Sequence, residues 1–226
     1  MPGRVIAIAG AKGSPGCSFL AMALARYLAL NRVSTLLVDA DAEGGGLGAL
    51  LDIPPAEDPG AEVAIHIDKQ LWFVELGQHP AEALNGLDWA TDERQHFDAV
   101  VIDLGHSAGP LQQQLSAASD WLLWVVVPDR SGLQRADTAL ASGMLGAAKA
   151  GIVFNRIHRG CLDGAEAALS HRHHISVMGR INEDRRIAER LTRGLPVQDL
   201  WGLRRAIRDL VRSVHPDAGS AVSALR

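Results

Sequence analysis

The chain has 226 residues, 47% of them hydrophobic, and a formal net charge of −4: enough to bury the core of one α/β domain, and too nearly neutral to call for nucleic acid or an anionic membrane as partner. Cys17 and Cys161 lie far apart, residues 1–4 carry no signal-peptide pattern, and no apolar run reaches the roughly 18 residues needed to span a bilayer. A soluble cytoplasmic protein is expected.

Residues 5–9 are an apolar run of buried-strand type, 10–18 a Gly-rich stretch, and 19–30 have the composition and length of a helix. Strand, glycine loop and helix in that order make a phosphate cradle. The N–H groups of the loop and of the first helical turn converge where the helix dipole favours negative charge. Ser18 adds a hydroxyl suited to Mg²⁺. Lysine is otherwise confined to Lys69 and Lys149, so Lys12 inside the loop is the first candidate for a functional charge.

Residues 35–38 form a second apolar strand ending in Asp39-Ala40-Asp41. Ligands of open α/β sheets sit outside the carboxyl ends of the strands, which brings both carboxylates near the loop if the strands are neighbours. The glycines of 43–48 read as a mobile switch loop, and Pro54, Pro55 and Pro59 make 53–60 a surface loop. Residues 71–76 predict a third strand and 81–93 a weaker helix. Residues 97–105 are the second strong signal: a buried strand delivers Asp103 and then Gly105, the form of a carboxylate behind Mg²⁺ followed by a γ-phosphate sensor.

Residues 121–127 are apolar throughout, as a central parallel strand covered on both faces requires. A crossover helix over 131–148 follows, with Ser131 as N-cap. Then come a strand over 151–155 that delivers Asn155, a last short strand over 176–181, and helices over 183–193 and 199–214. The alternation predicts a three-layer α/β/α fold with a mostly parallel, doubly wound sheet. A single domain over 1–214 is expected, with a disordered tail over 215–226. The run His171-Arg172-His173-His174 lacks a matching Cys or Asp cluster and reads as a solvated turn. Trp121 and Trp124 read as core. The stripe Leu200, Leu203, Ile207, Leu210, Val211 and Val214 packs a last helix on the sheet in preference to anchoring it in a membrane.

Four blocks in this order resemble the MinD/ParA group of P-loop ATPases, the deviant-Walker branch that also contains the nitrogenase iron protein. The family loop Lys-Gly-Gly-x-Gly-Lys-[Ser/Thr] is matched by Lys12-Gly13-Ser14-Pro15-Gly16-Cys17-Ser18. Its switch I is similar to Val38-Asp39-Ala40-Asp41, and its Walker B and switch II to residues 100–105. Its base-reading asparagine is similar to Asn155, and its adenine-bordering segment to Ile181-Asn182-Glu183-Asp184 with Gly194-Leu195-Pro196. The resemblance implies bound ATP or ADP with Mg²⁺. Lys12, Gly13, Ser14, Pro15, Gly16, Cys17, Ser18 and Phe19 would hold the phosphates, and Asn155 and Asn182 the base. Ser18 would ligate Mg²⁺ while Asp41 and Asp103 hold its water shell, Asp39 would position the attacking water, and Lys12 would reach the partner's γ-phosphate across a nucleotide-linked homodimer.

The departures from that pattern bear on activity. Cys17 stands where the ordinary P-loop lysine would be, a loss of one charge-assisted contact worth about 1.5–3 kcal/mol. Ser14 replaces a glycine, and Pro15 removes an N–H donor. No catalytic histidine constellation is identifiable around Cys17, which reads as a small packing residue. Retention of Lys12 without the second lysine resembles the CpaE/TadZ-like subgroup, whose members usually carry an N-terminal receiver-like domain, mark a cell pole and recruit pilus or secretion machinery. The expectation is a dimerising switch with weak ATPase activity, working with a membrane-associated or polar assembly. The alternatives are a non-hydrolysing nucleotide-binding scaffold and a ParA-like DNA partition protein using the Arg-rich segment 180–212; membrane contact through the last helix is disfavoured.

Overall fold

The computed structural model describes residues 2–11, 15–43, 46–54, 64–76, 85–158, 161, 164–193 and 200–216. In chain order its elements are β1 (Arg4–Gly10), α1 (Cys17–Leu30), β2 (Thr35–Asp39), α2 (Gly46–Leu50), β3 (Ile65–Asp68), β4 (Leu71–Glu75), α3 (Gly86–His96), β5 (Ala99–Asp103), α4 (Pro110–Ala117), β6 (Trp121–Val126), α5 (Arg130–Ser142), β7 (Lys149–Ile157), α6 (Ala165–His173), β8 (Ser176–Asn182), α7 (Arg185–Thr192) and α8 (Trp201–Val214). The strands form one eight-stranded sheet in the order β3-β4-β2-β5-β1-β6-β7-β8. Every pairing is parallel except β3 with β4. This is the three-layer arrangement that the alternation of patterns predicts.

The central strands are apolar at consecutive positions because helices cover both faces. Ile6 and Ile8 of β1 pack with Leu20, Leu24 and Leu28 of α1 and with α8, whereas Val5, Ala7 and Ala9 pack with Trp89 of α3 and Leu111 and Leu115 of α4. β5 and β6 repeat the division: Val101, Leu123 and Val125 face one layer, Val100, Ile102, Leu122 and Trp124 the other. Leu20, Leu24 and Leu28 are fully buried, each burial stabilising the fold by roughly 1.5–3 kcal/mol. The apolar stripe of α8 is likewise spent internally: Leu203, Ile207, Leu210, Val211 and Val214 are buried, and α8 lies against α1 and β8. Among the described residues, no helix is long and apolar enough to cross a membrane.

Several boundaries differ from the sequence reading. The pattern does not predict β3, because His66 and Asp68 interrupt its apolar run and it lies exposed at the sheet edge; nor does it predict α4, although Pro110 sits at its start and Leu111 and Leu115 are its buried face. The glycine segment that reads as a switch loop is closed by α2, with residues 44 and 45 outside the described residues. α5 stops at Ser142, where Gly143 takes φ 61, well short of Ala148, and its N-cap is Asp129, not Ser131: Gly132 N–H donates to Asp129 Oδ1 at 2.6 Å. The His171–His174 run is exposed as expected except at His173, but it is the end of α6 and not a turn: Arg172 Nη1 donates to Asp137 of α5 at 2.7 Å and His173 Nε2 lies 2.8 Å from the same carboxylate. The weaker helix is α3, Gly86–His96. Residues 55–60 of the Pro-rich loop, 81–84, 194–199 and the tail beyond Pro216 lie outside the described residues.

Candidate functional site

The strand order sets the site. β5 lies between β1 and β2, and the register puts Asp103 opposite Ile8 on one side and Asp39 on the other, with Glu75 of β4 next to Asp39. Two sequence-predicted carboxylates therefore meet at the sheet's carboxyl edge, beside the strand that leads into α1. The two ends of the connection between β1 and α1 lie close together. Gly10 N–H donates to Gly105 O at 2.8 Å, and a Cβ on Gly10 would fall 2.3 Å from Pro15 Cγ. Gly16 precedes α1 at φ 99, and no side chain among the described residues caps the helix. The first-turn N–H groups and the positive end of the dipole are thus offered to an anion.

Asp39 is 1% exposed. Its Oδ1 accepts from Asp41 N–H at 3.2 Å and its Oδ2 from Leu47 N–H at 3.1 Å, so one carboxylate holds both ends of the segment joining β2 to α2. Burial pushes Asp39 up to about 6, partly offset by those N–H bonds and reinforced by the charges of Glu75 and Asp41. Asp103 is completely buried, and burial pushes it up to about 7, against the Ser18 hydroxyl and the Gly105 N–H and with the charges of Asp39 and Asp41. Its Oδ1 accepts from Gly105 N–H at 3.0 Å. Its Oδ2 is buried with no hydrogen-bond partner of normal geometry among the described residues.

Above these groups opens a cleft of about 560 Å³ whose walls include Pro15, Gly16, Cys17, Ser18, Asp41 and Arg156. Asp41 packs against Gly105, where a Cβ would lie 2.2 Å from the Asp41 Cγ. Gly46 of α2 closes on Ser18, with a Cβ there 2.9 Å from the hydroxyl. Asn155, at 5% exposure, donates from Nδ2 to Pro15 O at 2.8 Å and accepts Arg156 N–H on Oδ1 at 2.9 Å. Burial, then the charges of Asp103 and Asp41, raise the Cys17 thiol well above its ordinary value, so it stays neutral.

The donors fit a hydrated Mg²⁺. No three His, Cys, Asp or Glu side chains among the described residues converge as a protein cage, and Mg²⁺ does not need one: it keeps several waters and takes one or two protein ligands. A hydroxyl with carboxylates behind it supplies that set, and the unpartnered Asp103 Oδ2 is an acceptor for such water.

The family profile described as the CobQ/CobB/MinD/ParA nucleotide binding domain matches residues 6–197. The chain belongs to this family. No curated protein matches it. Among solved structures, it is similar to the MinD cell division protein of Aquifex aeolicus, at 21% identity over 94% of this chain and 97% of the other, with a TM-score of 0.75. A ParA family ATPase from Chlorobium tepidum TLS is 19% identical over 95% and 99% of the two chains, with a TM-score of 0.75. The septum site-determining protein MinD of Pyrococcus horikoshii OT3, complexed with Mg-ADP, is 17% identical over 96% and 98%, with a TM-score of 0.75. These likenesses establish the shared fold.

Within this MinD/ParA-type domain the predicted residues are placed as follows. Pro15, Gly16, Cys17, Ser18, Phe19 and Asp41 line the cleft. Asp39 and Asp103 lie buried at its base, Asn155 braces the loop at Pro15, and Asn182 ends β8, the strand beside that of Asn155. Lys12, Gly13 and Ser14 lie outside the described residues. Sequence reasoning missed Arg156, whose only signal was its place after Asn155. It also missed Gln112, whose buried Nε2 donates to Ala40 O at 2.7 Å and pins the turn between Asp39 and Asp41.

Proposed function

We propose that the chain is a nucleotide switch of the MinD/ParA type: it binds ATP or ADP with Mg²⁺ at the head of α1, dimerises around ATP and hydrolyses it slowly. Its output would be the positioning or recruitment of an assembly such as a pilus or secretion system, working in the cytoplasm or peripherally at the membrane or cell pole. The observation that carries this reading is the convergence of Ser18, Asp41, Asp39 and the unpartnered Asp103 Oδ2 at an uncapped helix N-terminus. The Mg-ADP complex of the Pyrococcus MinD supports the choice of nucleotide.

In this reading residues 12–18 are a deviant Walker A loop, nearest in pattern to the CpaE/TadZ-like subgroup. Mg²⁺, when bound, supplies neutralisation of the charge that develops on the β- and γ-phosphates. Ser18 ligates it, and Asp41 and Asp103 order its water. Asp39 orients the attacking water once movement of the 40–47 segment frees an oxygen from Leu47 or Asp41 N–H. Lys12 reaches the partner's γ-phosphate in trans.

A second reading, a nucleotide-binding scaffold without turnover, is favoured by Cys17, whose neutral thiol supplies no charge to the transition state. Phosphate release measured on purified protein separates the two. Sedimentation with a slowly hydrolysed ATP analogue tests the dimer: wild-type protein should double its mass and Lys12→Ala should remain a monomer that still binds nucleotide. A wild-type protein that binds the analogue yet stays monomeric would contradict the switch.

A further inference from the structure

The cleft is acidic for a site meant to hold a triphosphate. Asp41 and Glu43 are in its wall, Asp39 and Asp103 lie beneath, and Cys17 brings a neutral thiol where a lysine would sit. Its histidine, His106, is engaged with Glu43, Nε2 to Oε1 at 3.2 Å. Among the described wall residues Arg156 is the one lysine or arginine. Its side chain is exposed and makes no ion pair or hydrogen bond with any described residue.

Arg156 reaches the cleft through a break in β7. Side chains alternate between the two faces of a regular strand, but the pairing of β7 with β8 shifts between Phe154 and Ile157, and Arg156 takes φ 56. That left-handed conformation is uncommon for any residue but glycine and persists only where its surroundings enforce it. Asn155 enforces it here. Its Oδ1 takes the Arg156 N–H at 2.9 Å while its Nδ2 holds Pro15 O at 2.8 Å. Gly16 leaves room for that amide, since a Cβ at Gly16 would lie 2.3 Å from Asn155 Nδ2. One buried side chain thus couples the backbone of Arg156 to the last residues of the phosphate loop.

We infer that Arg156 is a phosphate-binding residue acting within its own subunit, supplying from β7 the positive charge that Cys17 does not supply from the loop. The inference rests on the nucleotide reading given above. A guanidinium presents a planar fork of donors matched to phosphate oxygens, and Arg156 lines the same cleft as Pro15, Gly16 and Cys17 of the loop, so the substituted lysine and Arg156 are alternative sources of one charge. The contact is made to phosphates, not to adenine or ribose.

Calorimetric titration of Mg-ATP, Mg-ADP and adenosine into wild type, Arg156→Gly, Arg156→Lys and Arg156→Gly/Cys17→Lys tests this. Glycine is chosen because it accepts the left-handed backbone without strain, and circular dichroism checks the fold. Arg156→Gly should weaken Mg-ATP and Mg-ADP by roughly 10- to 100-fold, the loss of one charge-assisted contact, and leave adenosine unchanged. Arg156→Lys should recover part of the loss, and the added Cys17→Lys should recover most of it. Wild-type binding of Mg-ATP with Arg156→Gly equally tight would overturn the assignment of Arg156 alone. Equal losses for ATP and adenosine would also overturn it, placing the residue at the nucleoside. A folded wild-type protein that binds no nucleotide would overturn the underlying reading and this inference together.

Discussion

Asp39 and Asp103 stand directly opposite each other at the carboxyl ends of β2 and β5, and Ala40 N–H donates to the Asp103 carbonyl at 2.8 Å. Burial is the main reason the two sit at about 6 and about 7 instead of 3.8, and for Asp103 the charge of Asp39 adds to it. Since the folded state holds these protons more tightly than the unfolded chain, their contribution to stability is full below pH 3.8 and is lost as pH rises through 6 and 7. Asp39 alone accounts for on the order of 3 kcal/mol. Thermal unfolding in EDTA should give a lower Tm at about pH 8 than at about pH 5, and Asp103→Asn should flatten the difference. Mg-ATP should restore the Tm at the higher pH. A wild-type Tm difference that Asp103→Asn leaves intact would contradict the burial argument.

Gly105 carries φ +64 and gives way to Asp41, whose Cγ a Cβ would approach to 2.2 Å. Gly143 carries a similar φ of +61 with nothing within 4 Å. Gly143→Ala should therefore cost only the backbone strain, about 1–3 kcal/mol in urea denaturation. Gly105→Ala should cost more than Gly143→Ala and should also weaken Mg-ATP binding, because Asp41 is displaced. Equal costs and an unchanged affinity would remove Asp41 from the site.

Cys17→Lys returns a charge to the loop and should tighten Mg-ATP binding by roughly tenfold or more, with turnover rising if the second lysine limits hydrolysis. Asp39→Ala should abolish turnover while leaving binding nearly intact. An unchanged rate in Asp39→Ala would show that its two N–H bonds hold the 40–47 segment and that the carboxylate has no part in positioning water.

Ile207, at 2% exposure, packs α8 into the core. Ile207→Ala should destabilise the protein by about 2–5 kcal/mol, and the wild-type protein should not pellet with anionic vesicles through this helix. Vesicle binding lost in Ile207→Ala without loss of stability would mean that α8 leaves the sheet to meet lipid.

The sheet was legible because strands covered on both faces must be apolar at consecutive positions, a pattern that β1, β5 and β6 show plainly. β3 was not, since an exposed antiparallel edge strand such as Ile65–Asp68 carries no such requirement. Asp39, Asp41, Asp103 and Ser18 could be picked out because strand-end carboxylates and a glycine loop are local signals; β1 and β2 are not neighbours, however, and it is β5 between them that sets Asp103 beside Asp39. What local reading does not reach is partnership across the chain. That Asn155 spends its amide on Pro15, 140 residues away, and that Arg156 turns left-handed beside it depend on which loop the fold lays against β7.

Isothermal calorimetry of Mg-ATP against the wild-type protein tests the central claim most directly, with EDTA and Ser18→Ala as controls. The account predicts saturable binding to one site per chain, weakened when Mg²⁺ is removed and when the Ser18 hydroxyl is lost. A folded wild-type protein that gives no binding heat with Mg-ATP at any temperature tested, and no shift in Tm on its addition, would contradict it.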